Sequence, residues 1–181
     1  MKVRAKWLGA GGALLVALLF LAGINLQDPP TLVRLAGRLH PLIVHFPIGL
    51  LLLALLFHFR ALRGTAPGNL GYSADLIWDL GALSALAVAL TGNALSLEGG
   101  FDKELIYWHK RLGIAVALAS SGASVVRRLR VVPGSVHWTI LHYLLVSATA
   151  ISLVAAGHLG GTMVHGAGYW SSYLPESVGR L

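Results

Sequence analysis

Apolar runs alternate with short polar breaks along the whole chain. Five runs stand out, at residues 8–26, 42–57, about 74–94, about 105–126 and about 136–158. Residues 42–57 contain no Asp, Glu, Lys or Arg. A helix needs about 20 residues to cross a hydrocarbon core of about 30 Å, and each run is near that length. The pattern predicts an all-α integral membrane protein with five transmembrane helices, the last four forming a four-helix bundle. The corresponding division is an anchor helix over 1–30, a membrane bundle over 31–170 and a tail over 171–181.

The breaks carry their own signals. Residues 1–7 are basic, so the first run reads as a signal anchor; no small-x-small cleavage site follows it. Residues 27–38 read as a polar loop around Asp28-Pro29-Pro30. Pro41 suits the first turn of a helix, and Pro47 should bend that helix near His45 because it removes an interior hydrogen bond. Residues 60–72 form a Gly-containing loop with Pro67, and 97–104 a short acidic one. Pro133-Gly134-Ser135 breaks the chain again, with Ser135 as an N-cap. The third run holds Gly81, Ala82, Ser84, Ala85, Ala89 and Gly92, small residues that let membrane helices approach closely. After residue 158 the chain is too rich in Gly and polar residues to span again, and Tyr169, Trp170 and Tyr173 read as interfacial aromatics.

Composition agrees with this pattern. The 181 residues are 56% hydrophobic and 12% charged, with a mean hydropathy of +0.72. Soluble domains carry roughly 25% charged residues. The net charge of +7 would suggest nucleic acid in a soluble protein. Here the bases flank apolar runs, where they set topology and meet lipid headgroups, so no nucleic-acid partner is expected. Cysteine is absent, which excludes disulfides, thiolate metal sites and covalent c-type haem attachment. No P-loop, nucleophile elbow or HExxH motif is present, so an electron-transfer or assembly subunit is favoured over a stand-alone enzyme.

Lys and Arg give the orientation. Lys2, Arg4, Lys6, Arg60, Arg63, Arg127, Arg128 and Arg130 fall on one side. Arg34, Arg38, Lys103, Lys110, Arg111 and Arg180 fall on the other, together with five of the carboxylates. The positive-inside rule places the N-terminus in the cytoplasm and the C-terminus outside, in a bacterial inner membrane.

That threading sorts the eight histidines. His40, His45, His109, His158 and His165 fall at the outer side; His58, His137 and His142 fall at the inner side. An ionisable group inside a membrane is costly and is by default a pointer to function. The bland alternative is that each is an interfacial side chain. The sharper one is a metal or haem site between helices. His45 and His109 are the first choice for axial ligands, with His158 as the substitute and His40 and His165 as second-cofactor or orienting groups. Gly49 and Gly113 each lie four residues beyond one of the chosen ligands, on the same helical face, and would leave a slot for a flat ring. Arg38, Lys110 and Arg111 are placed to meet haem propionates. One haem b is expected, or two. A second haem along the same faces is disfavoured, because His45 and His58 are thirteen residues apart, about 140° from a common face. His58, His142 and Asp79 read instead as an inner proton or quinone cluster, or as polar groups that lock helix packing.

The segment HPLIVHFPIGLLL (40–52), with YWHKRLGIA (107–115) and GHLGGTMVHGAGYW (157–170), resembles the bacterial membrane family known as domain of unknown function 2231. The resemblance covers residues 36–170. Some relatives are joined to or neighbour c-type cytochrome domains, so it implies redox traffic at the outer face; this chain has no CxxCH, so a c-type partner is a separate protein, and quinone is the further partner expected on the membrane side. The resulting expectation is a membrane electron-transfer subunit holding haem near the periplasmic face. Two alternatives stand beside it: a copper or zinc site on three or four outer histidines, and a cofactor-free scaffold of a respiratory or photosynthetic complex.

Overall fold

The computed structural model describes residues 29–64, 70–129, 136–169 and 171–173. Among these the chain is helical and contains no strand. The helices are α1 (Thr31–Arg38), α2 (His40–Ile43), α3 (His45–Leu62), α4 (Leu70–Ser96), α5 (Lys103–Leu129) and α6 (Val136–His165), followed by a 3₁₀ turn at Ser171–Tyr173. The run over 8–26, the Ser135 cap, Trp170 and residues 174–181 lie outside the described residues.

The first three helices are one rod with two soft breaks. Pro41 and Pro47 each lack the N–H that would bond four residues back. The helix gives way two and three residues ahead of them, at Leu39 and Val44, yet both stay in right-handed helical geometry. The Ile48 N–H still reaches the Val44 carbonyl, at a stretched 3.5 Å. Thr31–Arg60, Leu70–Ser96 and Val136–His165 are each long and apolar enough to cross a membrane. The fourth long helix, α5, spans 27 residues but carries Lys110, Arg111, Arg127 and Arg128 near its ends.

Two expectations are corrected here. Residues 31–38 are not a loop: TLVRLAGR is amphipathic, starts just after Pro30, and seats Gly37 against α4. A Cβ on Gly37 would stand 2.7 Å from the Leu95 backbone nitrogen, so only glycine permits this approach. The last helix does not end near His158 but continues to His165, with Gly160 set against the His109 ring and Gly161 at the wall of the cavity described below.

Packing runs in sequence order. α3 lies on α4, α4 on α5, and α5 on α6, with α1 on the far end of α4. The result is two helical hairpins, α3–α4 and α5–α6, joined along α4 and α5. A core of Leu51, Ala54, Trp78, Ala85, Leu86, Val116, Ala117, Ala123 and Leu153 draws on all four helices. Trp78 is fully buried and donates its indole N–H to the Ser120 carbonyl at 3.0 Å, which satisfies its one polar atom. The four helices do not close into the ring that an up-and-down bundle would form: α3 and α6 are not packed along their lengths.

Candidate functional site

Where α3 and α6 stand apart, a cavity of about 530 Å³ opens between the helices. Its walls are almost entirely apolar, with His40, His45, His109, His165 and Lys110 among the lining residues.

His40 and His109 meet inside it. Their ring centroids are 6.4 Å apart, with the planes at 89°. Each ring is anchored on the partner helix of its own hairpin. His40 Nδ1 lies 3.2 Å from the Val88 carbonyl on α4, and His109 Nδ1 lies 2.9 Å from the Ala156 carbonyl on α6. A carbonyl only accepts, so both Nδ1 atoms carry the proton and both Nε2 atoms keep a free lone pair. Thr91, whose hydroxyl donates to Val88 O at 3.1 Å, sits beside the first ring.

The same device appears twice. Gly92 lies four residues after Val88, and Gly160 four residues after Ala156, so each glycine shares a face with the accepting carbonyl. A Cβ on Gly92 would stand 2.7 Å from His40 Cε1, and one on Gly160 would stand 3.1 Å from His109 Cε1. Each imidazole therefore lies on bare backbone. The glycines that matter for ring placement are on the facing helix, not four residues along the ligand's own. Gly113 does line the cavity, with open space at its Cβ position. Gly49 is exposed and does not line it.

The other proposed residues are distributed as follows. His45 opens α3, lines the cavity and is exposed, its Nδ1 3.3 Å from the Leu42 carbonyl. His165 closes α6 and stacks on Tyr169 at 4.6 Å. His158 is exposed and absent from the cavity wall. Lys110 reaches in and donates to the Ser96 hydroxyl at 2.9 Å. Arg38 turns outward to Glu98 at 3.2 Å, and Arg111 lies over the Tyr107 ring at 4.3 Å. Among the described residues no group of three or more His, Cys, Asp or Glu is gathered closely enough to hold a metal ion.

The opposite end of the bundle is built on ion pairs. Asp79 accepts from Ser124 at 2.7 Å, from Arg127 at 2.6 Å and from Arg128. Arg127 also donates to the Asp75 carbonyl at 3.2 Å, and His58 stacks on Trp78 with its Nε2 3.8 Å from Asp75. His142 is apart from this group, bonded to the Ala123 carbonyl at 3.2 Å. Asp79 thus has cationic and hydroxyl donors on both oxygens, which favours a packing role for it. From His40 to His58, and from His109 to Arg127, is eighteen residues, five helical turns, so each helix presents both ends of this pattern on one face.

A family model described as "Predicted membrane protein (DUF2231)" matches residues 37–170. The chain belongs to the DUF2231 family. No curated protein and no solved structure matches it. The DUF2231 stretch begins at Gly37, where α1 touches α4, and runs past His165, so both hairpins and every histidine of the cavity fall within it. This DUF2231 chain is a membrane protein with several apolar helices.

Proposed function

We propose that this protein binds haem b in the cavity, where His40 and His109 would hold it, and serves as a membrane electron-transfer subunit. The observation that carries this reading is the His40–His109 pair. Two imidazoles on opposite sides of one metal ion stand about 6.3 Å apart, from a metal–nitrogen distance of about 2.0 Å and about 1.1 Å more to each ring centre. A tetrahedral site would bring them to roughly 5 Å. The 6.4 Å separation leaves room for one metal ion between the two rings, which supports this reading. Proton-bearing Nδ1 atoms held by carbonyls are the usual outer support of ligating histidines.

The rest of the cavity suits a flat apolar group with an anionic edge. Gly113, Gly157 and Gly161 line it, and a Cβ on any of them would meet no atom within 4 Å. Lys110, a cation at the wall, would pair with a carboxylate. Haem supplies reversible one-electron chemistry when bound; the chain supplies the ligands, the counter-charge and an apolar wall that keeps water away. In the membrane we read five spans, the run at 8–26 being the first, with the N-terminus cytoplasmic and the histidine end at the periplasmic face. Electrons would pass there to or from a separate c-type cytochrome.

The specific competitor is a cofactor-free scaffold, because imidazoles at this distance and angle also make a favourable edge-to-face contact. The test is a pyridine haemochrome assay on the full-length protein in detergent. The parent should hold about one haem per chain. His40→Phe and His109→Phe keep an aromatic ring at each position but no ligand, and should lose haem, whereas His58→Phe should retain it. A haem-free parent, or full haem in both Phe variants, overturns the proposal.

A further inference from the structure

The cavity has a side entrance, and a polar group stands in it. Its exposed lining residues are Pro41 and His45 on one edge and Gly157, Val164 and His165 on the other, with Phe101 above. The edges belong to the rod of α2 and α3 and to α6, and α3 and α6 do not pack together. The mouth therefore faces sideways, toward lipid.

His45 stands in that mouth. It lies five residues beyond His40, about 7.5 Å further along the rod, within the stretch 42–57 that carries no charged side chain. Across from it, Gly157 lies three residues below Gly160, about 4.5 Å further from the histidine end. A Cβ on Gly157 would meet nothing within 4 Å, so the opposite edge leaves room for a ring. His45 Nδ1 is turned back to the Leu42 carbonyl at 3.3 Å. That bond requires a proton on Nδ1 and leaves Nε2 as an acceptor at the exposed mouth. An exposed acceptor at this depth is costly to leave unmet. A phospholipid headgroup does not sit so deep, and acyl chains offer no hydrogen bond.

We propose that the α3–α6 mouth binds the hydroxyl headgroup of a lipid-soluble quinol, with the quinol O–H donating to His45 Nε2 and the ring lying over Gly157. The redox class of the ligand rests on the electron-transfer reading above; the entrance and its acceptor do not. The geometry carries a direction. A quinone offers only acceptors, so it gains nothing from a deprotonated Nε2. The reduced form is favoured.

The experiment uses the full chain in nanodiscs, titrated separately with a short-tailed ubiquinol and the matching ubiquinone, with haem counted on the same samples. The parent should bind the quinol roughly tenfold more tightly, the worth of one added hydrogen bond. His45→Leu should bind both forms equally while keeping its haem. Gly157→Leu should bind neither. Equal binding of the two forms by the parent, or a preference that survives His45→Leu, overturns the site. Loss of haem in His45→Leu also overturns it, since His45 would then be a ligand. A quinol preference in a haem-free parent supports the site and overturns the electron-transfer reading instead.

Discussion

His109 rests on Gly160: a Cβ there would come within 3.1 Å of the ring, and the ring's Nδ1 is held by Ala156 one turn earlier on the same helix. His40 repeats the relationship with Gly92 and Val88 at the other hairpin. The register between helices therefore sets where each Nε2 points.

Replacing either glycine should swing its imidazole away without touching the imidazole itself. Gly92→Ala forces contact at 2.7 Å and Gly160→Ala at 3.1 Å, so the first should be the more damaging, by about 1–3 kcal/mol of overpacking. Both should lower the haem-to-protein ratio, with Gly92→Ala lower. Gly49→Ala, facing open space, should match the parent. Absorbance ratios of the purified variants check this; equal haem in all three would mean that the glycine seats do not place the rings.

Asp79 should be worth more to stability than to the histidine site. Arg127, only 15% exposed, and Arg128 both depend on its carboxylate. Asp79→Ala leaves two guanidinium groups side by side without it. The cost should be about 2–4 kcal/mol, below the fully buried case because Arg128 is partly solvated. Thermal unfolding followed by circular dichroism should show a lower Tm, with haem content unchanged at low temperature. Combining Asp79→Asn with Arg127→Met should recover most of the loss, because a buried ion pair replaced by neutral groups of similar size often costs little.

Arg63 and Gly99 flank α4, which is 27 residues long, about 40 Å. In this cysteine-free chain, a single cysteine at Gly99 should label with a membrane-impermeant maleimide added to intact spheroplasts. One at Arg63 should label only after permeabilisation. Labelling of both from one side would remove the crossing of α4 and the assignment of the histidine end to the periplasm.

The spacing of the last four apolar runs and the gathering of His40, His45, His109 and His165 toward one end were legible in the residues. The partner of His109 was not. Helices α3, α4 and α6 are apolar nearly all round, and such helices give no signal of which face turns inward. His40 and His45, five residues apart, could not be ranked without knowing that His40 faces α4. The glycine seats were hidden for a related reason: Gly92 and Gly160 meet rings carried by other helices, and register between helices leaves no mark on either run alone. Residues 31–38 were misread because Asp28-Pro29-Pro30 outweighed eight residues of amphipathic pattern. Asp75 escaped notice as a polar residue at the edge of a run, where carboxylates usually meet water.

Neither hairpin holds a complete site. His40 and its seat are made wholly from α2 and α4, His109 and its seat wholly from α5 and α6, and the chain passes from one half to the other through the short turn at Gly99 and Gly100, both in the left-handed region at φ 75° and 82°. During synthesis the first half can be finished in the bilayer while the second is still on the ribosome. Were haem held as proposed, it would be captured only after the halves have docked, and would then staple them. Loading would then act as a checkpoint on assembly, because a chain whose halves failed to meet could not hold the ligand from both sides.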